Sequence, residues 1–286
     1  MTLEDAYERC RLITRAQARN FYYGFVLLPP DRRAAIYAAY AFSRRADDSV
    51  DGEDAPDDKL AAVAARRREL DAIYAGETPA DDPVLVAMAD AVERFSVPRT
   101  HLDDLLDGVA MDLTTTRYAD WGALEGYCAR VAGAVGLVSL HIFGFSDERA
   151  PSHARDLGIA LQIVNIMRDV AEDAARDRIY LALEDMDACG VDEEEILEGV
   201  VTPGFRSLMQ TYAERARDYF ARGERLLPLL DRRARMCVAM LAGLYREILH
   251  GIQARDYDVF AERVALSMPR KLALMGQTTL TNLTSR

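Results

Sequence analysis

Between Leu157 and Asp173 the chain runs Leu-Gly-Ile-Ala-Leu-Gln-Ile-Val-Asn-Ile-Met-Arg-Asp-Val-Ala-Glu-Asp, a largely apolar stretch of helical character. On it Gln162, Asn165, Asp169 and Asp173 recur at i, i+3, i+7 and i+11, which puts all four on one helix face. A helix that is apolar on its other faces has little reason to meet solvent. A polar stripe on such a helix usually lines a wet cavity.

The rest of the chain agrees with an all-α fold, because helical periodicity dominates and strand signals are scarce. Ala34, Ile36, Tyr37, Ala38, Tyr40, Ala41 and Phe42 follow Pro29-Pro30-Asp31, a helix start. Lys59 to Tyr74 is rich in good helix formers and is closed by Gly76, Pro79 and Pro83. Pro83 to Phe95 reads as the next helix. Pro98-Arg99-Thr100 opens another, with Leu102, Leu105, Leu106 and Val109 on one side. Leu124 to Phe143 reads as a buried helix whose Gly133 and Gly136 permit close backbone approach. Ser152 to Ala175, Glu193 to Glu198, Phe205 to Leu230 and Arg232 to Gln253 complete a bundle of eight or more helices. The linkers at 76–83 and 144–151 are short, and no compositional break divides the chain, so residues 1–286 are expected to form one domain.

The formal net charge of −12 disfavours a nucleic-acid partner, which would need a basic stripe facing the phosphates. Cys10, Cys128, Cys189 and Cys237 lie far apart and form no C-x-x-C pair, so neither a zinc site nor a disulfide framework is expected, and a reducing, cytoplasmic setting is the default. The chain starts Met-Thr-Leu-Glu-Asp, with no basic region followed by an apolar run, and no uninterrupted apolar segment of about 18 residues occurs. The protein is expected to be soluble or to touch membranes only at the surface. Its oligomeric state has no sequence signature.

Two acidic clusters stand out: Arg44-Arg45-Ala46-Asp47-Asp48-Ser49-Val50-Asp51 and Asn165-Ile166-Met167-Arg168-Asp169-Val170-Ala171-Glu172-Asp173. In each, two aspartates sit four apart, Asp47 with Asp51 and Asp169 with Asp173. Like charges at that spacing repel in a bare helix, so something must offset them. Mg²⁺ prefers carboxylate and phosphate oxygens and keeps several waters, so carboxylates on two helices could hold it against a diphosphate. Arg44, Arg45 and Arg168 could contact the same oxygens.

Acidic residues fill 47 of 286 positions, so accidental patterns are expected as well. Asp103-Asp104-Leu105-Leu106-Asp107 has the same D-D-x-x-D form, but it follows Pro98 and Thr100 at a helix start, where carboxylates favour the helix dipole. There the structural reading is preferred. His101, His141, His153 and His250 show no metal-ligand or catalytic spacing.

Taken together, these blocks resemble the squalene/phytoene synthase family over nearly the whole chain. Asn20-Phe21-Tyr22-Tyr23-Gly24-Phe25 with Leu28-Pro29-Pro30 is similar to its N-terminal signature, and Ala38 to Asp51 to its first aspartate motif. Tyr127-Cys128-Ala129-Arg130-Val131-Ala132-Gly133-Ala134-Val135-Gly136 resembles a further block. Leu161 to Asp173 with Arg178-Ile179-Tyr180-Leu181 resembles the second aspartate motif. Tyr257 to Phe260 and Arg270-Lys271-Leu272 resemble C-terminal blocks.

The resemblance implies an isoprenoid-synthase helical bundle around a central cavity and head-to-head condensation of two prenyl diphosphates. It implies Mg²⁺, with Mn²⁺ as a substitute, bridging diphosphate to Asp47, Asp48, Asp51, Asn165, Asp169 and Asp173. Substrate contacts are implied for Asn20, Phe21, Tyr40, Arg44, Val131, Gly136, Arg168 and Arg178, and catalytic places at the cavity wall for Tyr127, Gln162, Asn165 and Tyr245. The opening Asn20-Phe21-Tyr22-Tyr23 and Val138 to Gly144 favour bacterial presqualene diphosphate synthases, acting on two farnesyl diphosphates, over phytoene synthases acting on two geranylgeranyl diphosphates. NADPH use stays open, as no G-x-G-x-x-G follows a strand.

Three positions depart from the family pattern: Asn20 for serine, Asp177 for glycine and Ala182 for proline. The competing readings are a terpene cyclase or chain-elongating prenyltransferase of the same fold, and a non-catalytic helical assembly protein. A lipid-soluble product implies transient contact with a membrane surface.

Overall fold

A computed structural model describes residues 1–18, 21–50 and 55–284, the side chains of Pro56 and of 279–284 excepted. The described residues form fourteen α-helices in order: α1 (Leu3–Gln17), α2 (Phe21–Phe25), α3 (Pro30–Asp48), α4 (Pro56–Ala75), α5 (Pro83–Phe95), α6 (Arg99–Met111), α7 (Trp121–Cys128), α8 (Ala134–Phe143), α9 (Ala150–Ala174), α10 (Leu183–Cys189), α11 (Glu193–Glu198), α12 (Pro203–Gly223), α13 (Arg232–Ala254) and α14 (Met268–Thr284). Among the described residues the only extended pairing is an isolated bridge between Arg117 and Ile179.

Local chemistry sets the helix ends. Proline occupies the first turn of α3, α4, α5 and α12, where its missing N–H costs nothing. Asp82 caps α5 by accepting from the backbone N–H of Val84 at 3.0 Å and of Leu85 at 3.2 Å. Gly76, at φ +74°, ends α4 in the left-handed region. The predicted helix from Phe205 to Leu230 stops instead at Gly223 and continues as a 3₁₀ turn over Glu224–Leu229, because Pro228 cannot extend an α-helix. Helices α1, α2, α10 and α14 add to those read from the sequence.

Helix α9 runs through the middle, packed most extensively on α12 and also on α8 and α13. Its apolar faces are buried at Leu157, Ile159, Ala160, Ile163, Val164, Ile166, Met167 and Val170. The expected 124–143 helix is present with one irregularity, since Ala129–Gly133 forms a π turn between α7 and α8. Val131 in this turn lines the cavities described below, and such π turns are frequent near functional sites.

Two glycines let α8 and the π turn press against α9. A Cβ on Gly136 would stand 2.6 Å from the Ala154 carbonyl oxygen, and one on Gly158 would stand 2.4 Å from that of Ala132. Backbone atoms cannot yield as a flexible side chain can, so these positions exclude any larger residue. By length and composition Trp121–Phe143 could cross a bilayer. It carries Glu125 and Arg130, however, and Leu124, Tyr127, Cys128, Ala134, Leu140 and Ile142 are buried within the bundle.

Candidate active site

The stripe on α9 faces a polar chamber of about 320 Å³ whose opposite wall is the C-terminal end of α3, with Arg44 and Asp47. Gln162, Asn165, Asp169 and Asp173 all line it, as do Tyr127, Val131, Arg168 and Arg178. A second, mostly apolar cavity of about 270 Å³ adjoins it, lined by Phe21, Phe25, Tyr40, Gly136, Leu140 and Leu241 among others. Asp47, Val131, Gln162 and Asn165 border both spaces. A polar group and its hydrocarbon tail therefore find contiguous compartments of matching chemistry.

The two aspartates of α9 are held differently. Arg168 donates to Asp169 from Nε at 2.7 Å and from Nη2 at 2.5 Å, and Arg263 donates to the same carboxylate at 2.8 Å. Burial pushes the Asp169 carboxyl up, but these guanidinium hydrogen bonds outweigh it and hold it below the usual carboxylate range. Asp173, one turn on, has no such clamp. Burial first and then the Asp169 charge raise its pKa to about 7, with Arg176 and Arg178 opposing.

Asn165 donates from Nδ2 to Gln162 Oε1 at 3.3 Å, while its Oδ1 is buried without a hydrogen-bond partner. A buried acceptor left unmade costs about 1–3 kcal/mol, so this oxygen is poised for a ligand that the chamber would receive. Among the described residues no three Asp, Glu, His or Cys side chains gather closely enough to hold an ion alone. The donor set of amide and carboxylate oxygens on facing helices instead suits a hard cation whose other ligands are phosphate and water oxygens. In that sense the residues present fit Mg²⁺ bound together with diphosphate.

Two residues anticipated at the cavity stand elsewhere. Asp48 points away from the chamber, its Oδ1 2.5 Å from Arg44 Nη2, and lines an outer groove between α1, α3, α4 and α5. Adjacent positions on a helix differ by about 100°, so with Asp47 inward Asp48 must face out. Tyr245 is buried behind the wall, hydrogen-bonded to Asn165 and Arg168 and 5.7 Å from the ring of Phe21, and it borders neither cavity. It contacts the chamber through those two side chains. Asn20 and Asp51 lie outside the described residues.

The remaining departures have local explanations. Asp177 adopts φ +55°, the conformation that favours the glycine of other members, and its exposed carboxylate pairs with Arg117 at 2.7 Å outside the chamber. Ala182 donates its N–H to the Tyr212 hydroxyl at 2.7 Å, a bond that a proline there could not make.

Other residues stand at the site with little or no signal in the sequence. Asp112, just past α6, lines the chamber together with Tyr180 and Arg176. Arg263 reaches Asp169 from the loop after α13, 94 residues away in the chain. The only signal available was the inclusion of Tyr180 in the Arg178-Ile179-Tyr180-Leu181 block.

Comparison with known proteins fits this geometry. The squalene/phytoene synthase family model matches residues 14–270. The phytoene synthase of Mycobacterium tuberculosis is 43% identical over 275 residues, covering 94% of this chain and 89% of that protein. The 15-cis-phytoene synthase of Synechococcus elongatus is 41% identical over 283 residues, 95% of this chain and 91% of that protein. Among solved structures, a dehydrosqualene synthase in complex with ligand superposes with a TM-score of 0.92 at 30% identity, covering 99% and 98% of the two chains. Squalene synthase HpnC from Alicyclobacillus acidocaldarius superposes at 0.83 with 29% identity, covering 90% and 96%. Head-to-head condensation of prenyl diphosphates is thus supported, and the phytoene synthase alternative is better supported than the presqualene preference drawn from the sequence. The chain belongs to the squalene/phytoene synthase family, prenyltransferases that condense prenyl diphosphates.

Proposed function

We propose that this protein is a Mg²⁺-dependent phytoene synthase that joins two molecules of geranylgeranyl diphosphate head to head. The observation that carries the reaction class is the carboxylate-lined chamber opening directly onto an apolar cavity. The C20 substrate is supported by the 43% and 41% identity to phytoene synthases.

In this reading Asp47, Asn165, Asp169 and Asp173 would hold the metal, with Asp51 as a further candidate, and Mn²⁺ could replace Mg²⁺. The bound ion supplies Lewis acidity to the departing diphosphate. Arg44, Arg168, Arg178 and Arg263 bind diphosphate oxygens as charge-assisted donors. The C1–O bond of one substrate breaks with its electron pair leaving on diphosphate. The allylic cation that remains is attacked by the double bond of the second molecule, and proton loss closes a cyclopropane.

The stacked rings of Tyr127 and Tyr180, 5.2 Å apart, offer π faces to the cation. The apolar walls exclude water that would quench it. A second ionisation that ends in proton loss needs no hydride donor, so NADPH is not required. Free, buried Cys10, Cys128 and Cys237 support a reducing, cytoplasmic setting. The exposed Val26, Met268 and Leu272 support transient contact with a membrane surface.

Incubation of purified protein with Mg²⁺ and either geranylgeranyl or farnesyl diphosphate, with and without NADPH, tests the reading by mass spectrometry. Phytoene from the C20 substrate without NADPH is the expected product. Turnover of farnesyl diphosphate alone would return the assignment to the presqualene type, and diphosphate release from neither would remove the enzymatic reading.

A further inference from the structure

The chamber contains one carboxylate that the roles above leave unused. Asp112 follows the last residue of α6 and is fixed from two sides. Arg178 Nη2 donates to its main-chain carbonyl at 3.2 Å, and the 112–118 and 178–183 segments run side by side through Ile179 N–H to Thr116 O at 2.9 Å and Leu183 N–H to Tyr118 O at 2.9 Å. Its two carboxylate oxygens are divided between tyrosines. Tyr180 donates to Oδ1 at 2.7 Å and Tyr127 to Oδ2 at 3.2 Å. Around them the rings of Tyr118, Tyr127 and Tyr180 lie 5.2 to 5.9 Å from one another.

A phenol that donates its only hydrogen to one acceptor has committed its orientation. Its oxygen lone pairs and ring face then point elsewhere, and a carboxylate shared by two phenols sets both at once. In a buried polar network such fixing is worth more than the separate bonds. The family reaction passes through an allylic cation that must meet π faces and oxygen dipoles before it meets water.

We propose that Asp112 is a positioning residue that locks the Tyr127 and Tyr180 hydroxyls and so decides, after diphosphate has left, whether the cation is captured by the second prenyl chain or by water. The inference rests on the prenyl diphosphate reading above and deepens it. Asp112 acts through the two tyrosines and neither holds the metal nor binds diphosphate.

The test measures diphosphate release, hydrocarbon formation and prenyl alcohol formation separately in wild type and Asp112→Asn, using the intact protein, Mg²⁺ and whichever prenyl diphosphate the wild type turns over. Diphosphate release and KM should stay within about threefold and the Mg²⁺ activation constant within about twofold, while hydrocarbon falls about tenfold or more and prenyl alcohol replaces it. Adding Tyr180→Phe to Asp112→Asn should cost little more, since the two act as one unit. A parallel fall in release and condensation, a raised Mg²⁺ requirement, or unchanged partitioning would overturn the role given to Asp112. If Asp112→Asn does not fold, Tyr127→Phe/Tyr180→Phe with Asp112 intact takes its place; it must show the same shift toward alcohol, and normal partitioning in that folded variant would overturn the proposal. Absence of diphosphate release from wild type with any prenyl diphosphate would overturn the functional reading itself, an outcome distinct from all of these.

Discussion

Two aspartate clusters of this chain, each on a helix, face opposite worlds. On α6, Asp103 pairs with Arg99 at 3.1 Å and Asp107 with Arg67 at 2.6 Å, while Asp104 and Asp107 are exposed. On α9, Asp169 and Asp173 are largely buried, with a raised pKa on one and a clamped carboxylate on the other. Spacing does not separate the two clusters. What separates them is the residues between and around the acids: Leu102, Leu105 and Leu106 send the α6 acids outward, whereas the apolar faces of α9 turn its acids into the chamber. On α9 the acids face the chamber because the positions flanking them are taken up by buried apolar residues.

Neutralising one cluster at a time separates the two helices most strongly. Asp169→Ala should lower kcat about a thousandfold or more while the circular dichroism of the helices is unchanged. Asp104→Ala on α6, assayed identically, should stay within about twofold, as exposed charges away from a site contribute little. Comparable losses in both variants would erase the distinction.

Next in size is a packing test of the wall that keeps α9 buried. Gly158→Ala forces a Cβ to within 2.4 Å of the Ala132 carbonyl oxygen and should destabilise the fold by about 3 kcal/mol in chemical denaturation. Gly243→Ala on α13, where nothing lies within 4 Å of the new atom, should instead be neutral or stabilise by about 0.5–1 kcal/mol.

A smaller effect concerns pH. Because the folded pKa of Asp173, about 7, lies above the ordinary 3.8, its contribution to the stability of the metal-free fold is present below pH 3.8 and is lost as the pH rises through about 7. Metal-free Asp173→Asn should therefore melt above wild type at pH 8, by about 4 °C, with the gap closing toward pH 5. A gap independent of pH would mean that burial and the Asp169 charge do not raise the Asp173 carboxyl. Smallest of all, Asp107→Asn should shift stability by less than about 0.5 kcal/mol, because its bond to Arg67 lies in solvent.

Much of this architecture could be read from local patterns. The α9 stripe, the helix starts at Pro30, Pro83 and Pro98 and the close approach at Gly136 are all consequences of periodicity or of one residue's shape, and the structure carries each. The misses have a common cause. Asp112 and Arg263 meet Arg178 and Asp169 through contacts 66 and 94 residues apart in sequence, and no periodicity encodes such a meeting. Helix geometry alone could have separated Asp47 from Asp48. Tyr245 needed the packing of α13 on α9 to be known before it could be set behind the wall.

Most directly at stake is whether α3 and α9 grip a cation between them with diphosphate. A crystal of the protein soaked with Mn²⁺ and inorganic diphosphate tests it through the anomalous signal. Peaks in the chamber within about 2.2 Å of oxygens from Asp169 or Asp173, with diphosphate bridging toward Asp47 and Arg44, are the predicted result. Metal found on the α6 cluster, with none between α3 and α9, would contradict it.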